Sequence, residues 1–314
     1  MPSAVTHAYF ARDVYKKLPA KVKRKIDLDE MVTFSQGPDV FYYDLLREKN
    51  RNFGKLVHTT KTEKFIIEYV DHILKYRLEK KKEVISSLYG MVLHYVLDKT
   101  THPFIYYETD GSPVKHREME LLIDLYMIEK REKINPRKVD ITTLVFPKMA
   151  PKNQLQNLLD RVYEDVYGVS NMGKVYLRNL PEMKEYFHMF RYDPYGYKLK
   201  LYRVIHKLPF VSNKICYNSY AIDLRTKVAY INFEHEVWCH PCNKSETSTK
   251  SFFDLYHDAL EEAVFILTQI HQVLVKENEV RSLQKVTGNK SMITGKDCNS
   301  KTKMTYFKNK KPGK

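Results

Sequence analysis

Within the segment LHYVLDKTTHPF, His94, Asp98 and His102 recur at intervals of four. On a helix each such step turns by only about 40°, so the three side chains fall along one stripe. The next stretch, KHREMELLID, offers His116 and Glu120 at the same interval, able to grip one ion together. Ser87, Gly90 and Met91 continue the first stripe, while Leu88, Val92 and Val96 point elsewhere. A polar seam inside two otherwise apolar helices needs a reason, because burying imidazole and carboxylate without partners is costly. A zinc ion supplies one: neutral imidazole donates a lone pair and carboxylate offsets the charge. Any one of these histidines alone would more often be a hydrogen-bonded core or surface residue. Five donor-type residues within 27 positions are a stronger signal.

Helices must hold these groups, and the apolar spacing supplies them. Ala4 to Leu18 repeats at helical period and stops at Pro19, with His7 on the face of Ala11, Val14 and Leu18. SQGPD (Ser35 to Asp39) reads as a turn, FYYDLL as a short helix. Thr60 with Glu63 reads as a capping box opening a helix to about Lys80. Further helices are expected over about Val84 to Thr101, ending before Pro103, and Val114 to Lys133. Others follow at Asn153 to Tyr167, Pro181 to Phe190 and Phe252 to Lys276. Between Tyr217 and Trp238 the pattern is less helical, and VAYINF suits a short strand. The expected fold is all-α: a multi-helix bundle around a buried zinc cluster, with a short irregular or β segment near 217–240. It comprises a helical domain over 1–280 and a flexible basic tail over 281–314.

Composition narrows the class. With 314 residues, 43% hydrophobic and 29% charged, and only 10 glycines, the chain is neither collagen-like nor wholly disordered. Cys216, Cys239, Cys242 and Cys298 are too few for a disulfide scaffold. The best apolar run, Ala263 to Val275, is broken by Gln269, His271 and Gln272, so no membrane span is expected. The opening MPSAVTHAYFARDVYKK has Asp13 and paired lysines where a signal peptide needs an apolar core, and the expectation is a cytoplasmic protein. Net charge is +15, of which residues 281–314 carry +9, an attraction for phosphate-rich partners, whether nucleic acid or an anionic membrane. Cys239-His240-Pro241-Cys242 reads as reduced cysteines in a packed loop near Trp238, with a redox pair or a structural zinc site as alternatives.

In combination these residues resemble the zinc-dependent phospholipase C family, and more distantly the zinc single-strand nucleases of the same fold. The likeness rests on His7 in a T-H-x-x-x-A context, a G-P-D turn at Asp39, and His58 before a helix. The block His94, Asp98, His102, His116 and Glu120 completes it. It covers roughly residues 1–130, and the late segments NFEHEVWCHP and SFFDLYHDA also look like parts of intracellular members. The resemblance implies a helical bundle with two or three zinc ions. Asp39, His58, His94 and Asp98 would hold one, His102, His116 and Glu120 a second with a position open for water, and His7 with a bridging Asp98 a third. Tyr42, Tyr43 and Phe53 are expected pocket walls.

Zinc lowers the pKa of bound water to about 7 and polarises a phosphoryl oxygen. The expected activity is therefore hydrolysis of a phosphodiester in a phospholipid head group by a zinc-bound hydroxide. Asp39 is the candidate catalytic general base. The basic tail would add peripheral association with an anionic membrane. The alternatives are a zinc nuclease on single-stranded nucleic acid and a non-catalytic, zinc-stabilised interaction protein.

Overall fold

The computed structural model describes residues 4–136, 139–149, 153–189, 228–300 and 302–309, together with 197, 200, 201 and 204. Its helices are α1 (Ala4–Lys17), α2 (Ala20–Lys23), α3 (Leu28–Phe34), α4 (Glu48–Thr59), α5 (Thr62–Lys75), α6 (Lys82–Glu108) and α7 (Pro113–Glu132). They are followed by α8 (Ile141–Val145), α9 (Asn153–Tyr167), α10 (Met172–Met189), α11 (Phe252–Leu274) and α12 (Gln284–Thr287). A 3-10 segment, Gly37–Tyr43, carries the G-P-D turn. The fold is all-α, with one small hairpin. Strands β1 (Trp238–His240) and β2 (Asn243–Ser248) pair antiparallel, with a bulge between Cys239 and His240. VAYINF forms a 3-10 turn at Val228–Ile231 instead of a strand, and the part of the 217–240 segment before Val228 lies outside the described residues, as does Cys216.

Helix α6 is apolar almost all round, and a helix of that kind must be enclosed. Helices α1, α3, α5, α7 and α11 and the 3-10 segment all pack on it. The close approach of α3 depends on Gly90, where a Cβ would meet the Phe34 and Met31 backbone at 2.6–2.7 Å. Ser112, at the N-cap of α7, accepts from Lys115 N, and Pro113 opens the helix where its missing N–H is not needed. Ser251 and Asp254 form a full capping box on α11.

Several boundaries differ from those read in the sequence. The helix from Lys82 runs through Pro103 to Glu108. Gly295 lies over this break: a Cβ there would come within 2.6 Å of the Lys99 carbonyl oxygen, which Pro103 has no N–H to serve, and 3.2 Å of the proline ring. Thr60 does not open α5: its hydroxyl donates back to Leu56 O at 2.9 Å, and the N-cap is Lys61, in left-handed backbone without a side-chain cap. His58 sits in the last turn of α4, a polar helix with a narrow apolar stripe (Phe53, Val57) that the pattern did not reveal. Pro181 lies inside α10 instead of starting it, because the helix begins nine residues earlier, where Lys174 N bonds Asp160 Oδ1.

The largest correction concerns the expected flexible tail. Residues 281–300 and 302–309 are packed on the bundle. Leu283 and Met292 are buried, Tyr95 donates to the Thr287 and Gly288 carbonyls, and Thr305 and Tyr306 donate to Pro241 O. Lys296 pairs with Glu246, and Lys308 with Glu108 and Glu236. The segment lacks apolar periodicity because turns and backbone hydrogen bonds, not a helix face, hold it.

Candidate metal centre

The stripe of α6 and the stripe of α7 face each other, and the 3-10 segment, α4 and α1 close around them. Asp124, one further step of four along α7, accepts from Val5 N, Thr6 N and Thr6 Oγ1 at 2.8–3.2 Å. A carboxylate at a helix N-terminus satisfies its free amides. This clamp sets α1 against α7 and aims His7 inward. Gly37, with φ +50°, brings the turn so close that a Cβ there would overlap the His94 ring. We expect Gly37→Ala to displace His94 and destabilise the fold by about 1–3 kcal/mol. A urea melt checks this, and an unchanged midpoint would refute it.

All eight sequence-derived donors lie together, and none is more than 5% exposed: His7, Asp39, His58, His94, Asp98, His102, His116 and Glu120. Every imidazole turns Nε2 onto a carboxylate oxygen. His7 and His94 each face Asp98 at 3.1 Å, and His58 faces Asp39 at 3.0 Å. His102 and His116 face Glu120 at 3.4 and 2.8 Å. Backbone carbonyls fix three of the rings from behind: Nδ1 donates to Gly54 O from His58 (2.7 Å), to Ser35 O from His94 (3.1 Å) and to Met292 O from His102 (2.6 Å). A neutral imidazole held this way presents an Nε2 lone pair to a carboxylate lone pair, an arrangement that requires a proton or a metal cation between them.

Three groups of donors each gather their ligand atoms within 4.8 Å of one another: His7, His94 and Asp98; Asp39, His58 and His94; His102, His116 and Glu120. The grouping differs from the expected one in that His94, instead of Asp98, joins the first two. Asp98 Oδ2 also lies 3.7 Å from His102 Nδ1. His94 Nε2, Asp98 Oδ2, His7 Nδ1 and His116 Nδ1 are buried without a hydrogen-bond partner. An unsatisfied buried polar atom costs about 1–3 kcal/mol, and the facing pair His94 Nε2 and Asp98 Oδ2, 3.1 Å apart, calls for a proton or a cation between them. A donor set of imidazole nitrogen and carboxylate oxygen fits zinc.

The electrostatics agree. Burial pushes the Asp98 carboxyl up, but His102, His94 and His7 together outweigh it and hold Asp98 well below the usual range. Burial lowers His102, yet Asp98 and Glu120 raise it to about 9 in the absence of a cation. Burial keeps the His116 imidazole below its ordinary value.

The sequence reading missed the supporting partners. Asp124 follows the same four-residue rhythm and was legible there; the Ser35, Gly54 and Met292 carbonyls had no sequence signal. Tyr106 also went unnoticed, its ring 4.5 Å from that of His116. Of the expected pocket walls, Tyr42 stacks on His58 at 5.3 Å. Tyr43 is instead buried against Tyr186 and Phe187, and Phe53 belongs to an aromatic core with Phe41, Tyr163 and Tyr167. The Cys239–Cys242 loop carries free thiols, and among the described residues no third donor joins it.

A family model for zinc-dependent phospholipase C matches residues 6–171, a span that contains all eight donors and more than half the chain. The chain belongs to the zinc-dependent phospholipase C family. No curated protein and no solved structure matches it. As a member of the zinc-dependent phospholipase C family it has a helical fold, and zinc and hydrolase chemistry fit that family. Among the described residues no helix is long and apolar enough to cross a membrane.

Proposed function

We propose that the chain is a zinc-dependent phosphoesterase that hydrolyses the phosphodiester of phospholipid head groups. The observation that carries this reading is the enclosed seam of five imidazoles and three carboxylates whose lone pairs face one another. His7, His58, His94, His102 and His116, with Asp39, Asp98 and Glu120, are the metal-holding residues, for two or three ions. Zinc bound there supplies a Lewis acid for the phosphoryl oxygen and lowers the pKa of water.

The protein's own groups do the rest. Gly54, Ser35 and Met292 keep three imidazoles in the tautomer that leaves Nε2 bare. Asp39 is the proposed general base: carried by the G-P-D turn 3.0 Å from His58 Nε2, it would accept the proton of the attacking water. Tyr42 and Tyr106, the partly exposed rings against His58 and His116, frame the approach. Burial raises both phenols well above their ordinary value, so they remain neutral donors at neutral pH. Free thiols at Cys239, Cys242 and Cys298 support a reducing, cytoplasmic compartment.

Turnover decides the substrate. Zinc-loaded protein is expected to release head-group phosphate ester from phosphatidylcholine or phosphatidylserine vesicles and to leave a single-stranded oligonucleotide intact. Cleavage of the oligonucleotide alone would make the chain a nuclease; turnover of neither, with zinc retained, would make it a zinc-stabilised interaction protein.

A further inference from the structure

The turn that carries Asp39 runs on into a tip with an unusual surface. Leu45 is 63% and Leu46 90% exposed, although they follow seven residues of 3-10 helix of which six are buried. Loose loops expose leucines by accident, but this one is rigidly built. Asp44, 2% exposed, accepts from Arg47 N at 3.1 Å, Asn50 Nδ2 at 2.6 Å and Arg178 Nη2 at 2.5 Å. Arg51 Nη1 donates to the Asp44 and Leu45 carbonyls at 2.6 and 2.9 Å. The Asp44 carboxylate and the Asp44 and Leu45 carbonyls are thus held inward, while the Leu45 and Leu46 side chains stand exposed.

The surroundings are cationic. Leu45 to Lys55 contains Arg47, Lys49, Arg51 and Lys55 against Glu48 alone. Arg47 and Lys49 are exposed; Arg47 Nη1 lies 3.7 Å from Asp44 Oδ2, yet its side chain retains 57% of its accessible surface. Tyr42, at the proposed approach to the metal donors, lies three residues before Leu45.

We propose that Leu45 and Leu46 form a tip that inserts into an anionic lipid surface, with Arg47 and Lys49 at head-group level, and that it sets the metal seam against its substrate. An apolar tip ringed by cations matches an interface that is apolar inside and negative at its rim. This rests on the phospholipid reading of the site, and it moves membrane contact from the C-terminal segment, where Lys296 and Lys308 already pair with acids of the bundle, to the turn beside Asp39.

Sedimentation with phosphatidylserine–phosphatidylcholine vesicles tests it on the full zinc-loaded chain. The double variant Leu45→Ser/Leu46→Ser should bind vesicles at least about tenfold more weakly, since one desolvated leucine accounts for a factor of that order. Its melting temperature and its turnover of soluble bis(4-nitrophenyl) phosphate should not change. Arg47→Glu/Lys49→Glu should lose the preference for vesicles containing phosphatidylserine. Unchanged vesicle binding by the leucine variant overturns the proposal, as does a dimer of the wild type without lipid that the same variant abolishes. Wild-type protein that binds vesicles through the tip but cleaves no lipid would overturn the phospholipid reading of the site while leaving the docking surface in place.

Discussion

Asp98→Asn is expected to lower phosphodiester turnover by more than about a hundredfold and to strip zinc from the protein. Changes behind a metal ligand already cost ten- to a hundredfold, and Asp98 stands in front of three imidazoles. His7 and His94 approach it at 3.1 Å, and His102 lies 3.7 Å away. The amide has the same shape, so any loss reflects charge and lone pairs instead of packing. Without the carboxylate, a cation in the seam would face His7 and His94 with nothing to offset it. Zinc content by plasma mass spectrometry, on protein purified without a metal-affinity tag, should fall from two or three per chain by at least one. Retention of the full complement would remove Asp98 from the ligands and refute the assignment.

Removing the metal altogether should lower the melting temperature by many degrees and invert its dependence on pH. Zinc stabilises by mass action, and a ligand at a thousand times its dissociation constant contributes about 4 kcal/mol. The metal-free protein must instead hold Asp98 and Glu120 with a proton on His102. His102 is raised to about 9 there, because Asp98 and Glu120 outweigh the effect of burial. A group whose folded pKa is raised contributes fully below its unfolded value, about 6.5, and loses that contribution as pH rises through 9. The chelated protein should therefore melt at lower temperature at pH 9 than at pH 6.5. The zinc-loaded protein should not follow it, since metal binding is favoured by deprotonated ligands. Parallel pH profiles with and without chelator would show that no metal occupies the seam.

What the sequence could reveal tracks the range of the forces involved. The four-residue interval along α6 and α7 is a local consequence of helical pitch, so His94, Asp98, His102, His116 and Glu120 were legible from spacing alone. His7, Asp39 and His58 were legible only through a family pattern: each comes from a different element and meets the others in three dimensions. Pro103 misled, because the helix α6 that it interrupts is enclosed by packing on nearly every side, and that burial carries the helix on to Glu108. Thr60 misled for the opposite reason, since its hydroxyl found a nearer acceptor in Leu56. The segment after residue 280 carries no period at all. Its order comes from backbone groups pairing with residues nearly two hundred positions earlier.

That last pairing has a consequence in time. The eight donors are complete once residue 120 has been made, but the carbonyl that sets the His102 tautomer belongs to Met292, whose own amide bonds the His58 carbonyl. At roughly 5–20 residues per second, the nascent chain carries its donor set for roughly ten seconds or more before Met292 is made. During synthesis, the donors are made early, and the carbonyl that fixes one of their rings is made late.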